Sequence, residues 1–160
     1  MALVPIWLHV LGVVVWVGGL AWQAHVLAPL ARRGEGRLFA EAARRARPVT
    51  WTAIAIVALT GFYNVTQLGA LEQVMRSGAG LALAGKFMLV LLAVALAAQR
   101  DFAHVPRLVR ATTGAPAAGE DDPTSVLRAI AWLDRVTLVL AIAIIYLGLF
   151  VSRGKAITSP

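Results

Sequence analysis

Apolar residues gather in four long runs, separated by shorter polar stretches, and predict helices over about residues 5–29, 48–68, 80–104 and 126–152. Each run reaches about 20 residues, the length that an α-helix needs to cross the hydrocarbon core of a bilayer. The pattern therefore predicts an all-α fold: a four-helix transmembrane bundle that forms a single integral membrane domain over residues 1–160.

Composition supports a membrane protein and excludes several classes of site. Hydrophobic residues make up 59% of the chain, above the usage of ordinary globular domains. The chain has no cysteine, so disulfides and thiolate metal sites are excluded. The first run is too long for a signal peptide and contains His9, Trp16 and Gln23, so we expect a retained helix. The net charge of +7 reflects arginines at the membrane surface, and no nucleic-acid partner is expected.

The arginines predict the topology. Six of them lie in the first polar stretch, residues 31–47, and four lie around the third: Arg32, Arg33, Arg37, Arg44, Arg45 and Arg47, then Arg100, Arg107, Arg110 and Arg128. The positive-inside rule places both stretches in the cytoplasm, with the N and C termini outside. Leu38 and Phe39 alternate with the arginines, so residues 31–47 are expected to form a cytoplasmic amphipathic loop on the membrane surface.

Polar residues inside a bilayer are costly and are therefore functional candidates. At 100° per residue, three of the predicted helices carry them on a stripe together with small residues: His9, Gly12, Trp16 and Gln23; Lys86, Ala93, Ala97, Arg100 and His104; Asp134, Thr137, Ala141 and Gly148. On the second helix, polar residues cluster in the last two turns: Thr60, Tyr63, Asn64 and Gln67. His25 lies on nearly the opposite face from His9, about 24 Å along the axis, so these two histidines cannot bind one ion.

Depth sorts the candidates into two layers. The outer layer contains His9, Tyr63, Asn64 and Lys86, and the inner layer contains Gln23, His25, Arg100, Asp101, His104, Asp134 and Arg135. His9 is interpreted either as a ligand or proton-handling group, or as an imidazole hydrogen-bonded to a neighbouring helix. Lys86 either belongs to this site or extends its ammonium into the headgroups. Asp134 and Arg135 are interpreted as a structural pair or as an anchor at the end of a helix.

Several motifs resemble the copper-resistance D (CopD) family of small polytopic membrane proteins. They are Leu8-His9 followed by Trp16-Val17-Gly18-Gly19-Leu20, then Leu59-Thr60-Gly61-Phe62-Tyr63-Asn64, then Gly85-Lys86-Phe87-Met88, and finally Val105-Pro106-Arg107-Leu108. The resemblance implies copper handling or transport across the bacterial inner (cytoplasmic) membrane by a multi-pass protein.

The opening motif is also similar to the related HemJ-type protoporphyrinogen oxidases, in which the first-helix histidine is linked to haem b. Carried over by position, this resemblance implicates His9 and Lys86. The Asn-Glu-x-Pro pattern of that branch is missing, and Leu133-Asp134-Arg135-Val136 stands near its place. The resemblance therefore leaves haem binding open.

Three functions remain open at this point. The first is copper handling, with His9 as metal ligand and with Met1, beside the amino terminus, as a further donor; copper(I) favours thioether and imidazole ligands. The second is a haem b redox protein, and the third is a structural subunit of a larger membrane complex or homo-oligomer. The candidate cofactor-binding residues are His9, Trp16, Tyr63, Asn64 and Lys86. Enzymatic activity stays undecided, and the lipid bilayer is the expected partner.

Overall fold

Five longer α-helices, one short helix and π-helical turns make up the described part of the chain. The structure is a computed structural model that describes residues 3–67, 78–113 and 122–156. The helices are α1 (Leu3–Trp22), α2 (Gly36–Thr66), α3 (Gly78–Ala98), α4 (Val105–Thr113) and α5 (Pro123–Ala156). The π-helical turns are Gln23–Leu27, Ala31–Glu35 and Gln99–His104, and a short helix, Ala28–Leu30, lies between the first two. The all-α prediction is confirmed.

Gly34 reverses the direction of the chain between α1 and α2. Its φ is 106°, a left-handed backbone conformation that glycine adopts without the steric cost of a Cβ. After this reversal α2 packs beside α1 in the antiparallel sense. His9 contacts Val57 near one end of the pair, and Leu27 and Phe39 share a core cluster near the other.

Within the described ranges, three helical stretches are long and apolar enough to cross a membrane: Leu3–Thr66, Leu83–Thr113 and Pro123–Gly148. The sequence predicts four separate helices. The difference arises because the first two predicted helices are joined, through the turns around Gly34, into one continuous helical stretch. That stretch contains two arms that lie side by side.

The helix α2 begins at Gly36, whereas the sequence pattern predicts a start at 48. Pro48 lies inside the helix and removes one backbone N–H donor. The apolar face of the first turns does not stay free for a lipid surface. Phe39, Ala40 and Ala43 are buried in the core cluster that also contains Leu108 and Ile130.

A second core cluster lies in the middle of the bundle, where the helices carry small residues. Trp16 packs there with Ala53, Ile54, Ala93 and Ala97. Alanines let the helix backbones approach one another closely. This cluster separates the two ends of the bundle, and each end holds its own group of polar side chains.

Candidate functional site

His9 is held by α2 in one tautomer. Its Nδ1 lies 3.1 Å from the carbonyl oxygen of Val57 and 3.0 Å from the hydroxyl oxygen of Thr60. That hydroxyl donates its own hydrogen to the Ile56 carbonyl at 2.5 Å, so toward His9 it acts as an acceptor. Because both partners accept, the proton of a neutral imidazole lies on Nδ1. The Nε2 lone pair is left free, and among the described residues no hydrogen bond involves that atom.

Gly61 makes room for the imidazole. A Cβ placed on this glycine would lie 3.2 Å from His9 Cε1, which is closer than ordinary van der Waals contact. Thr60, which bonds to the imidazole, and Gly61, which leaves space for it, lie in the same turn of α2. The imidazole is therefore positioned by both hydrogen bonding and shape.

Lys86 lies on α3 and reaches toward α5. A Cβ on Gly148 would lie 3.2 Å from Lys86 Nζ, so the ammonium packs against the backbone of α5. The ammonium is also near enough to His9 for the two groups to interact electrostatically. We call the group formed by His9, Thr60, Gly61, Lys86 and Gly148 the His9 end.

The other predicted site residues are dispersed around this group. Asn64 is partly buried, whereas the Tyr63 side chain is 42% exposed. Trp16 is buried in the central cluster, about 10 Å further along α1 than His9. Its Nε1 has no hydrogen-bond partner among the described residues. The structure thus brings His9 and Lys86 into one neighbourhood, and it does not bring Trp16 or Tyr63 against them.

A second group of polar side chains lies at the opposite end of the bundle, around Arg100. We call it the Arg100 cluster, and its members are Gln23, Arg47, Trp51, Arg100, Asp101 and Asp134. Arg100 is buried and connects three parts of the chain. Its Nη2 donates to Gln23 Oε1, and its Nη1 donates to Asp101 Oδ1 at 2.5 Å.

Asp101 accepts hydrogen bonds from two residues of α2 as well as from Arg100. Trp51 Nε1 donates to its Oδ2 at 3.0 Å, and Arg47 Nη2 donates to its backbone carbonyl at 2.5 Å. The Arg47 guanidinium also stacks on the Phe102 ring, 5.1 Å from the centroid. Asp101 is therefore satisfied by Arg100 of its own turn and by two residues of α2.

Asp134 is 0% exposed and far less well satisfied. Its Oδ1 lies 2.6 Å from Arg100 Nε, but the N–H does not point at the oxygen, so the contact is an ion pair without an aligned hydrogen bond. Neither carboxylate oxygen has a hydrogen-bond partner in the part of the chain that the structure describes. Arg135, which the sequence pairs with Asp134, is exposed.

Sequence reasoning did not identify Arg47 and Trp51 as part of this cluster. The sequence assigns Arg47 to a surface loop, and Trp51 lies near the predicted start of a helix. A signal does exist, because Arg47 and Trp51 are four residues apart and so share a helix face if the helix starts before Pro48.

Few side chains in the described ranges are placed to bind a metal ion together. These ranges contain no group of three or more His, Asp or Glu side chains that could hold a metal ion. His25 and His104 are bound by Nδ1 to the backbone carbonyls of Ala21 and Gln99, respectively. His9 is the histidine of α1 whose free nitrogen lies between helices.

Comparison with known proteins gives one family. A family model described as copper resistance protein D (CopD) matches residues 40–151. The match includes Lys86, Arg100, Asp101 and Asp134, and it begins after His9. No curated protein and no solved structure matches the chain. Since the matched residues make up well over half of the 160-residue chain, it belongs to the copper resistance protein D family.

Proposed function

We propose that this membrane protein handles copper ions and binds them through His9. The family to which the chain belongs is named for copper resistance. Imidazole nitrogen is a good ligand for copper in both of its common oxidation states. His9 supplies such a nitrogen from a partly buried position between α1 and α2.

One observation carries this proposal: the Nδ1–H of His9 is held by Val57 and Thr60, while Nε2 is free. Histidines that bind metals usually donate the other ring N–H to a carbonyl or carboxylate, which fixes the tautomer and the ring orientation. The arrangement in α1 and α2 matches that pattern. His9 differs from His25, which has the same hydrogen-bond pattern, because its ring is partly buried between α1 and α2.

One histidine is not a complete copper site, so further ligands are part of the proposal. Copper(I) accepts thioether sulfur, and the chain has three methionines: Met1, Met75 and Met88. Met1 and Met75 lie outside the described residues, and Met88 is 66% exposed on α3. We propose Met1 as the second ligand because copper(I) favours a thioether sulfur beside an imidazole nitrogen.

For transport, the two arms of Leu3–Thr66 would each cross the membrane, giving four crossings of the bacterial inner membrane with both termini outside. The arginines of residues 31–47 support this topology through the positive-inside rule.

Because the chain lacks cysteine, single introduced cysteines report the topology directly. Ser77→Cys should react with an impermeant thiol reagent added outside cells, and Arg33→Cys should react only after permeabilisation. The opposite pattern would contradict the outside placement of His9.

Lys86 favours a second candidate function, a haem b redox protein related to the HemJ-type oxidases. An ammonium near His9 repels a copper ion, whereas it would pair with a haem propionate. The same free Nε2 would then be an axial ligand. The two candidates differ in a simple measurement, because bound haem gives an intense visible absorption spectrum and bound copper(I) does not.

The deciding experiment purifies the wild type and two variants after growth with added copper. We expect elemental analysis to find copper in the wild type and in His25→Ala, and to find it lost in His9→Ala. His25 is the matched control because its Nδ1 also bonds to a backbone carbonyl, but its ring is exposed.

A third variant tests whether the position of the His9 ring matters when the histidine itself is kept. Gly61→Leu keeps His9 but fills the space beside its Cε1, so it should also lower copper content. Full copper retention in His9→Ala would contradict the proposal. A haem spectrum that is lost in His9→Ala would favour the second candidate. Absence of both centres from the wild type would favour a structural subunit of a larger complex.

A further inference from the structure

The Arg100 cluster contains two buried carboxylates and one buried guanidinium, and its second guanidinium, Arg47, is only partly buried. Arg100 is 5% exposed, Asp101 is 3% exposed and Asp134 is 0% exposed. The buried guanidinium of Arg100 therefore lies against two carboxylates. This observation is independent of His9 and of copper handling.

The two carboxylates are not equivalent. Asp101 accepts aligned hydrogen bonds on both oxygens, from Arg100 and from Trp51. Asp134 accepts none from the described residues, although Arg100 Nε lies 2.6 Å away. The aligned N–H groups of Arg100 are already directed to Asp101 and Gln23. An ionised carboxylate that is fully buried without hydrogen bonds is strongly disfavoured.

The other charged groups around Asp134 do not compensate for it. Arg47, from α2, donates to the backbone of Asp101 and stacks on Phe102. Arg135, the next residue on α5, is exposed, and no ion pair joins it to Asp134 among the described residues. His25 and His104 are committed to backbone carbonyls of their own turns. The neighbouring group from the turn after α1 is the neutral amide of Gln23.

We propose that Asp134 is a proton-binding site and that it carries its proton at neutral pH. A proton converts this carboxylate, which accepts no aligned hydrogen bond from the described residues, into a neutral acid that is less costly to bury. A metal cation fits this position poorly, because hard cations need several oxygen ligands. The nearby amide oxygen of Gln23 is already occupied by Arg100.

The site lies where three elements meet. Arg100 belongs to the π-helical turn after α3, Gln23 to the turn after α1, and Asp134 to α5. Release of the proton would leave Arg100 with two anions in place of one. The protonation state of Asp134 therefore controls how strongly α5 is held against the other two elements, and proton exchange requires α5 to move enough to admit water.

Infrared spectroscopy of the purified protein at neutral pH tests the proposal directly. A protonated carboxylic acid has a C=O stretching band that is separate from the bands of carboxylates. The chain has only 8 Asp and Glu residues, and the exposed ones are ionised at this pH, so such a band can be assigned. We expect the band in the wild type, its loss in Asp134→Asn and its retention in Asp101→Asn. A wild type without the band, or a band lost in Asp101→Asn instead, would overturn the proposal.

Thermal unfolding gives a second readout. Asparagine has the shape and charge of a protonated aspartic acid, so Asp134→Asn should unfold within about 3 °C of the wild type. If Asp134 were instead an ionised partner of Arg100, the same change would break a buried ion pair and lower the midpoint by roughly 10 °C. Failure of Asp134→Asn to fold would count against the proposal for the same reason.

Discussion

At the His9 end, the imidazole bonds to one neighbouring helix and leaves Nε2 free. In the Arg100 cluster, one guanidinium joins its own π-helical turn to the turn after α1 and to α5. The two groups lie on the same stripe of α1, since His9 and Gln23 share a face about 21 Å apart. They also differ in burial: His9 and Lys86 are partly buried, and the charged side chains of the cluster other than Arg47 are buried.

The difference separates two uses of polar groups in an apolar bundle. A group that is tied to several elements holds those elements in one arrangement, and its removal leaves its partners buried and uncompensated. A group that is tied to one helix and keeps an unused ligand atom contributes little to the arrangement but can bind something else. Mutations at the two ends should therefore separate stability from binding.

Arg100→Met should give the largest loss of stability. It leaves Asp101 with one aligned donor fewer and removes the only guanidinium that contacts Asp134 among the described residues. Breaking a buried pair in this way costs about 3–5 kcal/mol. The measurement is chemical denaturation of the purified protein in detergent, with Arg135→Met as control. Arg135 is exposed on the same helix and should change stability by no more than about 0.5 kcal/mol. Equal effects of the two substitutions would contradict the distinction between the ends.

Gly12→Ala should have the next largest effect, because α1 and α2 approach most closely beside the His9 end. The new Cβ would lie 2.8 Å from Val57 Cγ2 and 3.2 Å from the Ala53 carbonyl oxygen, so the helices must separate. Overpacking of this kind costs about 1–3 kcal/mol. Gly19→Ala is the matched control, since no heavy atom lies within 4 Å of its Cβ position. A thermal midpoint that is the same in both variants would show that α1 and α2 are not packed this tightly.

His9→Ala should lower the free energy of unfolding only slightly, by about 1 kcal/mol. It removes hydrogen bonds to α2 but leaves no buried charge without its partner. The measurement is the same denaturation experiment, made on protein without added copper. A loss as large as that of Arg100→Met would mean that His9 is a structural group, and it would remove the contrast between the two ends.

Asp122→Ala should have the smallest effect, and one that depends on pH. Asp122 caps α5, its carboxylate accepting the Thr124 N–H at 3.1 Å and the Thr124 hydroxyl at 3.0 Å. The backbone hydrogen bond from Thr124 holds the pKa of the Asp122 carboxyl below its ordinary value of 3.8. A lowered pKa in the folded state stabilises the fold above that ordinary value and is lost as the pH falls below it. We expect a thermal midpoint lowered by about 2–4 °C at neutral pH and a smaller difference in acid. A difference that is constant with pH would show that the charge of Asp122 plays no part.

The faces of the helices could be predicted from the sequence. Helical periodicity placed Gly12, Trp16 and Gln23 on one stripe, and all three are buried. It likewise placed Ala93, Ala97 and Arg100 together, and they face the interior. Periodicity succeeds here because each side chain's direction around its own helix depends only on the 100° step between residues.

The partners of those side chains were decided by tertiary packing. Asp134 contacts Arg100 and not its neighbour Arg135, because adjacent residues on a helix point in different directions. Arg47 and Trp51 reach Asp101 because α2 continues through Pro48, which sequence rules treat as a helix start. Periodicity gives the face of a helix, but the relative height and identity of the residue opposite depend on how neighbouring helices pack. The free Nε2 of His9 and the missing hydrogen bonds of Asp134 could therefore be identified only from the folded structure.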